Sequence, residues 1–193
     1  MQAHVQRSKI LIVGSGFGGL GMAIRLKQQG IDDFKIIERA TEVGGTWRDN
    51  TYPGVACDVP SHLYSFSFIK NPYWSRIFPQ GAEIQRYLVQ CCDQEQIRPY
   101  IDFNTALEKA HWNTAQRIWE IQTSQGAYQA EVLITATGHL ADEHLPDIPG
   151  LAQFQGQVMH SARWNHQVDL ADQPVVVVGS GASAIQLVPE VAK

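Results

Sequence analysis

The sequence predicts an α/β fold, a parallel sheet with an inserted antiparallel meander. Short β-branched runs lead at once into glycine turns and then into helical periodicity, at residue 9 and again at residue 175. Four short alternating stretches separated by turn residues lie together between residues 101 and 134. The 193 residues are 44% hydrophobic and 18% charged, enough apolar material for a sizeable core and too little charge for a disordered chain.

Taken in order, Lys9–Val13 is apolar, β-branched and too short for a helix, and reads as a buried strand. Gly14-Ser15-Gly16-Phe17-Gly18-Gly19 follows directly. Leu20, Ala23, Ile24 and Leu26 then keep helical spacing as far as Gln29, and Gly30 stands at the C′ position that ends a helix. Phe34–Glu38 is the next strand. Gly44-Gly45, Pro53-Gly54 and Pro60-Ser61 punctuate the stretch from Thr41 to Phe68, which predicts a long ordered loop with short helical pieces. Loops of that length in compact domains are usually functional. From Gly81, the apolar positions Ile84, Tyr87, Leu88, Cys91 and Cys92 fall on one helix face. That spacing assigns the cysteine pair to core packing rather than redox chemistry.

The alternating stretches are Ile101–Leu107, Ala110–Asn113, Ile118–Thr123 and Tyr128–Ile134, with breaks at Asn113–Gln116 and Ser124–Gly126. Val132–Thr135 runs into Ala136-Thr137-Gly138, and a proline-marked connection, Leu145–Gly150, follows. A final strand is expected at Pro174–Val178, opening onto Gly179-Ser180-Gly181-Ala182-Ser183-Ala184. The organisation expected is one domain over residues 1–150, a linker over 151–172, and the start of a second, incomplete domain over 173–193.

Composition narrows the function classes. A net charge of −4 argues against a nucleic-acid partner. No apolar run is long enough for a membrane span, and Met1–Arg7 lacks the apolar core of a signal peptide. Three cysteines, two of them adjacent, suit a reducing, cytoplasmic setting. No His/Cys/Asp group has metal-ligand spacing, so no metal is expected.

Gly14, Gly16 and Gly19 fit G-x-G-x-x-G in the setting that gives the motif meaning, after a strand and opening a helix. The first glycine makes the tight turn, the second admits a pyrophosphate, and the third allows close helix–strand packing. Glu38, ending the second strand, stands where a carboxylate receives a ribose diol. Gly179, Gly181 and Ala184 form a second such fingerprint. Two fingerprints imply two dinucleotides, most simply FAD at the first and a nicotinamide cofactor at the second. Between them, Trp47 offers a flat wall, Asp58 a carboxylate, and Tyr64-Ser65-Phe66-Ser67-Phe68 further rings. Those rings can line a planar cofactor or simply pack.

From about residue 8 onward the chain resembles the N-terminal part of the class B flavoprotein monooxygenases, and within them the Baeyer–Villiger monooxygenases. The residues that carry this are GGTW (Gly44–Trp47), YPGxxCDxP (Tyr52–Pro60), the triplet Ala136-Thr137-Gly138, and Phe154–Trp164, which matches FxGxxxHxxxW. Asn165 departs from the Pro or Asp that commonly follows. The related flavin-containing monooxygenases usually carry a different aromatic at the Trp164 position.

The resemblance implies FAD contacts at Gly14, Gly16, Phe17, Gly19, Glu38 and Arg39. It adds Gly45, Thr46, Trp47, Asp58 and Tyr64, and a backbone contact from Leu107 to the adenine. Ala136 and Gly138 belong to the same cofactor surface, with His139 at a nicotinamide-cofactor contact. Gly179, Gly181, Ala182 and Ser183 hold the second dinucleotide. Asp58 is also implied as the catalytic carboxylate that orients an arginine lying well downstream; Arg48, Arg76 and Arg163 do not match that arginine. His160 has two readings, a hinge between domains or a histidine satisfied in linker packing.

The activity implied uses FAD, NADPH and O2 to convert a ketone to an ester or lactone through a C4a-peroxyflavin. Oxygenation of a sulfide or amine is the alternative, as is an FAD-binding fragment without turnover that self-associates through its incomplete second domain. A flavin disulfide reductase is discarded, because Cys57 has no cysteine neighbour and Cys91-Cys92 falls on a core face.

Overall fold

The protein is described by a computed structural model over residues 5–193; residues 1–4, where the Met1–Arg7 segment begins, lie outside the described residues. The chain divides into two compact units, one running up to Thr46 and joined by Arg86–Ala141, the other made of Trp47–Gln85 with Asp142–Lys193.

The first unit is built on one six-stranded sheet. Its strands are β1 (Val5–Val13), β2 (Phe34–Ile37), β3 (Ile101–Asp102), β4 (Leu107–Asn113), β5 (Ile118–Thr123) and β6 (Gly126–Thr135), in the order β3-β2-β1-β6-β5-β4. The strand β1 runs parallel to both its neighbours, Ile12 facing Ile36 on one side and Ile134 on the other. A central parallel strand is covered on both faces, which is why Ile10, Leu11, Ile12 and Val13 form an unbroken apolar run and are all buried. Helix α1 (Phe17–Gln28) links β1 to β2 and buries Leu20, Ala23 and Ile24, residues three and four apart. It ends as expected at Gly30, whose φ of +73° suits the left-handed stop.

The parallel core with an inserted meander is therefore present, with one difference. Ile101–Leu107 does not form a meander strand. Only Ile101–Asp102 is strand, pairing parallel with β2, and the chain then turns through Asn104 at φ +55°. The meander is β4-β5-β6, and β6 serves twice, antiparallel to β5 and parallel to β1. Alternation alone does not tell an edge strand from a meander strand, because both bury one face. Helix α3 (Gly81–Gln94) follows the predicted pattern, with Ile84, Tyr87, Leu88, Cys91 and Cys92 all buried.

Apart from the short helix α2 (Thr46–Asp49), which bridges the boundary in sequence, the second unit is loop up to the start of α3. Its later part holds single 3₁₀ turns at Leu151–Gln153 and Ser161–Arg163 and one helix, α4 (Ala182–Val191). The strand expected at Pro174–Val178 is absent. The segment pairs with no strand among the described residues, and Val176 is 86% exposed. A strand exists only through neighbours that take its N–H and C=O groups, and a β-branched run without them stays irregular. No helix among the described residues is long and apolar enough to cross a membrane.

Candidate dinucleotide site

In the first unit, β1, β2 and β6 end together at one edge of the sheet, where Gly14 follows β1, Glu38 follows β2 and Ala136 follows β6. Ligands of open parallel sheets bind outside the carboxyl ends of such strands. The glycine turn is tied down on both sides: Gly14 N–H donates to Ile37 O (2.9 Å), and Ala136 N–H donates to Val13 O (2.8 Å).

The three fingerprint glycines are held for different reasons. Gly14 has φ +97°, and a Cβ there would lie 2.6 Å from Ala136 O. At Gly19 a Cβ would lie 1.8 Å from Gly14 O, so this glycine lets α1 pass close to the turn. Gly16 differs. Its φ is an ordinary −74°, and a Cβ would meet only Gly45 Cα at 3.8 Å. The fold does not require glycine at 16; a ligand lying against the backbone would.

Two bare backbone strips thus face each other, Gly16 opposite Gly45, with Gly44 N–H donating to Ser15 O (3.0 Å) to hold them in register. Gly16 is also the N-cap of α1, and no side chain caps that helix end. Backbone donors and the positive end of the helix dipole therefore point toward this cradle, an arrangement that receives a phosphate or pyrophosphate. The residues present fit a dinucleotide on that ground.

Glu38 is buried, and its carboxylate is engaged within the protein. Oε2 accepts from Ser15 N–H (2.9 Å) and from the Ser15 hydroxyl (2.7 Å), and Oε1 accepts from Ala40 N–H (2.9 Å). Glu38 therefore braces the glycine turn as well as presenting an acid beside it, a role for Ser15 that the motif alone does not disclose. Phe17 opens α1 half-buried, tilted against Tyr87 with centroids 6.3 Å apart. Arg39 is exposed and donates to Ala141 O. Gly138 (φ +73°) and His139 are exposed beyond β6. Leu107 begins β4 at an irregularity in its pairing with β5 and packs its side chain on the cluster of Leu11, Val13, Ile37 and Ile121.

Thr46, at the end of the first unit, is exposed. In the second unit, Trp47 Nε1 donates to the Tyr64 hydroxyl (3.2 Å), the rings set edge to face at 5.5 Å and 82°. Burial pushes the Tyr64 phenol up, partly offset by the Trp47 hydrogen bond. Cys57 is buried with its thiol pushed up by burial, while its neighbour Asp58 is exposed. The loop that carries them is stitched down by Cys57 N–H to Pro79 O (2.9 Å) and Gly81 N–H to Val55 O (3.0 Å). His160 Nδ1 accepts from Ala162 N–H (3.1 Å) and caps the following turn.

At the second fingerprint, Gly179 has φ +121°, and neither it nor Gly181 has a heavy atom within 4 Å of a built Cβ. Ala182 is exposed and Ser183 half-buried at the start of α4, again with no side-chain cap. Gln186, four residues after Ala182, hydrogen-bonds the Tyr52–Ala56 loop. No motif in the sequence marks Gln186.

Residues 11–193 match the pyridine nucleotide-disulphide oxidoreductase family. A Baeyer–Villiger monooxygenase of Streptomyces coelicolor is 53% identical over 190 residues, 98% of this chain and 36% of that protein. The crystal structure of cyclohexanone monooxygenase from Rhodococcus sp. Phi1 bound to NADP+ superposes with a TM-score of 0.90 at 31% identity, covering 98% of this chain and 36% of the other. OTEMO in complex with FAD and NADP gives a TM-score of 0.90 at 31% identity over 98% of this chain and 38% of that one. The chain spans little more than a third of the length of the relatives it matches.

Proposed function

The chain belongs to the pyridine nucleotide-disulphide oxidoreductase family, and from that premise we propose that it carries the FAD site, and the glycine turn of an NADPH site, of a Baeyer–Villiger monooxygenase. The observation that supports this most is the Gly16–Gly45 cradle at the uncapped end of α1: Gly45 is held by its φ of +54° and a Cβ approach of 3.3 Å to Gly16 Cα, while at Gly16 a built Cβ meets only Gly45 Cα at 3.8 Å, so a ligand against the backbone is what accounts for glycine there. When bound, FAD and NADPH would supply the redox chemistry by which one oxygen atom of O2 enters a ketone to give an ester or lactone, the other leaving as water with electrons from NADPH.

The chain's own residues bind and orient. Gly14, Gly16 and the first turn of α1 hold the pyrophosphate, with Phe17 and Gly19 setting the path of that turn. Glu38 and Arg39 face the ribose, and Leu107 meets the adenine. Gly45 and Thr46, with Ala136 and Gly138, are the flavin residues of the first unit, and Trp47 and Tyr64 those of the second. Asp58 offers its exposed carboxylate to a guanidinium, its catalytic part being to position that group. His139, Gly179, Gly181, Ala182 and Ser183 receive the nicotinamide cofactor. In this reading residues 1–150 are the FAD-binding domain, 151–172 a linker and 173–193 the opening of the nicotinamide domain. The setting is cytoplasmic, and chains self-associate through Pro174–Val178.

Disulfide chemistry, which the family name also covers, finds no C-x-x-C pair among the described residues, and the adjacent Cys91 and Cys92 are both buried. Burial pushes the thiols of Cys91 and Cys92 up to about 11, so neither is a thiolate near neutrality.

The test is Gly16→Leu. Its φ is ordinary and a built Cβ meets only Gly45 Cα, at 3.8 Å, so the backbone admits a side chain there, and the thermal unfolding midpoint checks that the variant is folded. FAD binding, followed by quenching of flavin fluorescence, should weaken by roughly 100-fold, about 2.7 kcal/mol. Undiminished FAD binding in a folded Gly16→Leu chain would refute the cradle.

A further inference from the structure

We propose that Gln186 is a positioning residue that couples the glycine turn Gly179–Ser183 to the loop carrying Asp58. The inference rests on the reading that this turn takes a nicotinamide dinucleotide.

Helix α4 starts at that turn, and Gln186 leaves it within its second turn. The Gln186 Oε1 accepts from the Tyr52 hydroxyl (2.8 Å) and from Ala56 N–H (3.3 Å), while Nε2 donates to Ala56 O (2.9 Å). One side chain thus satisfies both backbone groups of Ala56 and the hydroxyl of the buried Tyr52. Gly54 brings the loop backbone against the helix: at φ +81°, a Cβ there would lie 2.5 Å from Gln186 O and 2.8 Å from Glu190 Cγ.

Beyond Ala56 the loop has little slack. Ala56 bridges to Gln80, and Cys57 N–H is held by Pro79 O (2.9 Å). Asp58 is the next residue. A displacement of α4 at its N-terminus therefore reaches Asp58 through one helix, one amide and a stitched stretch of chain.

Packing alone does not call for this arrangement, since an apolar side chain would fill the same space. The amide fixes register: a slip of α4 leaves three polar groups of the loop without partners, so the pair has one preferred alignment. A ligand that orders the start of α4 favours that alignment and with it one position of the Asp58 loop.

Hydrogen exchange read by mass spectrometry, with and without NADP+, tests the coupling. In the parent chain NADP+ should slow exchange over residues 179–184 and also over 52–58. Gln186→Leu should keep the slowing at 179–184 and lose it at 52–58, where basal exchange of the Ala56 amide rises about tenfold. Tyr52→Phe, which removes one of the three bonds and keeps the ring in the core, should retain a reduced response. A purely structural contact would speed exchange at 52–58 equally in both states, leaving the effect of NADP+ unchanged. That result, or slowing confined to 179–184 in the parent chain, overturns the proposal while leaving the cofactor reading intact. No slowing at 179–184 in the parent defeats the cofactor reading itself, and the coupling with it.

Discussion

Glu38 illustrates what a motif conveys and what it withholds. Its position after β2 was legible from spacing, as were the tight turn at Gly14 and the close approach at Gly19, because those demands are local. That its carboxylate is braced by both donors of Ser15 was not, since the bond joins the ends of two strands that only folding brings together. Glu38→Gln replaces one acceptor oxygen with a donor facing N–H or O–H groups. It should lower stability by about 1–3 kcal/mol, seen as a reduced urea midpoint at unchanged slope. Gln186 was illegible for the same reason, lying among ordinary helix formers. The cysteine pair gives a pH expectation. Burial raises Cys91 and Cys92 from 9.0 to about 11, so the folded state holds protons that the unfolded state releases. Their contribution is complete below pH 9.0 and falls as pH climbs toward 11. Tyr128, raised to about 12 by burial and then by its hydrogen bond to Asp102, extends the loss upward. The unfolding midpoint should drop across this range, and less steeply in a Cys91→Ala, Cys92→Ala variant; an equal slope would contradict the assignment.

Among the elements, those with internal periodicity were the readable ones. The helix α1 closes at Gly30, where φ is +73° and nothing lies within 4 Å of a built Cβ. Gly30→Ala therefore suffers backbone strain without steric conflict, and should destabilise by about 1 kcal/mol in denaturant titration. A much larger loss would mean a clash the geometry does not contain. Strands were less readable because their definition is relational. The pair at β3 is a two-residue parallel edge strand. Its apolar pattern was visible, but its partner was not. Pro174–Val178 is the converse, a convincing strand sequence with no strand partner among the described residues. The hairpin β4–β5 was recovered from its turn at Asn113–Gln116, and its Trp112 and Trp119 rings face each other across the strands at 5.5 Å.

For the molecule as a whole, the α/β class followed from strand, glycine turn and helix in succession, and the family from motifs spread over the chain. Activity is a different matter of scale, since the chain spans 36% of its Streptomyces relative. Val176 and Val178, 86% and 69% exposed, give the chain an apolar surface that should promote self-association. A Val176→Lys, Val178→Lys chain should sediment as a smaller species than the parent at equal concentration. Identical sedimentation would remove this segment from any role in assembly.

The dual pairing of β6 bears on the order in which the molecule assembles. Gln6 on β1 faces Tyr128 on β6, a separation of 122 residues. As the chain leaves the ribosome, β1, α1 and β2 emerge early, yet the central strand keeps one open edge until β6 has been synthesised. Closing so long a loop is slow, and contacts of this range lengthen folding times. Ala136, which walls the glycine turn from the far side, arrives with that last strand. On the proposed reading, a dinucleotide at this turn therefore binds late in the life of the nascent chain, after the early steps of its folding.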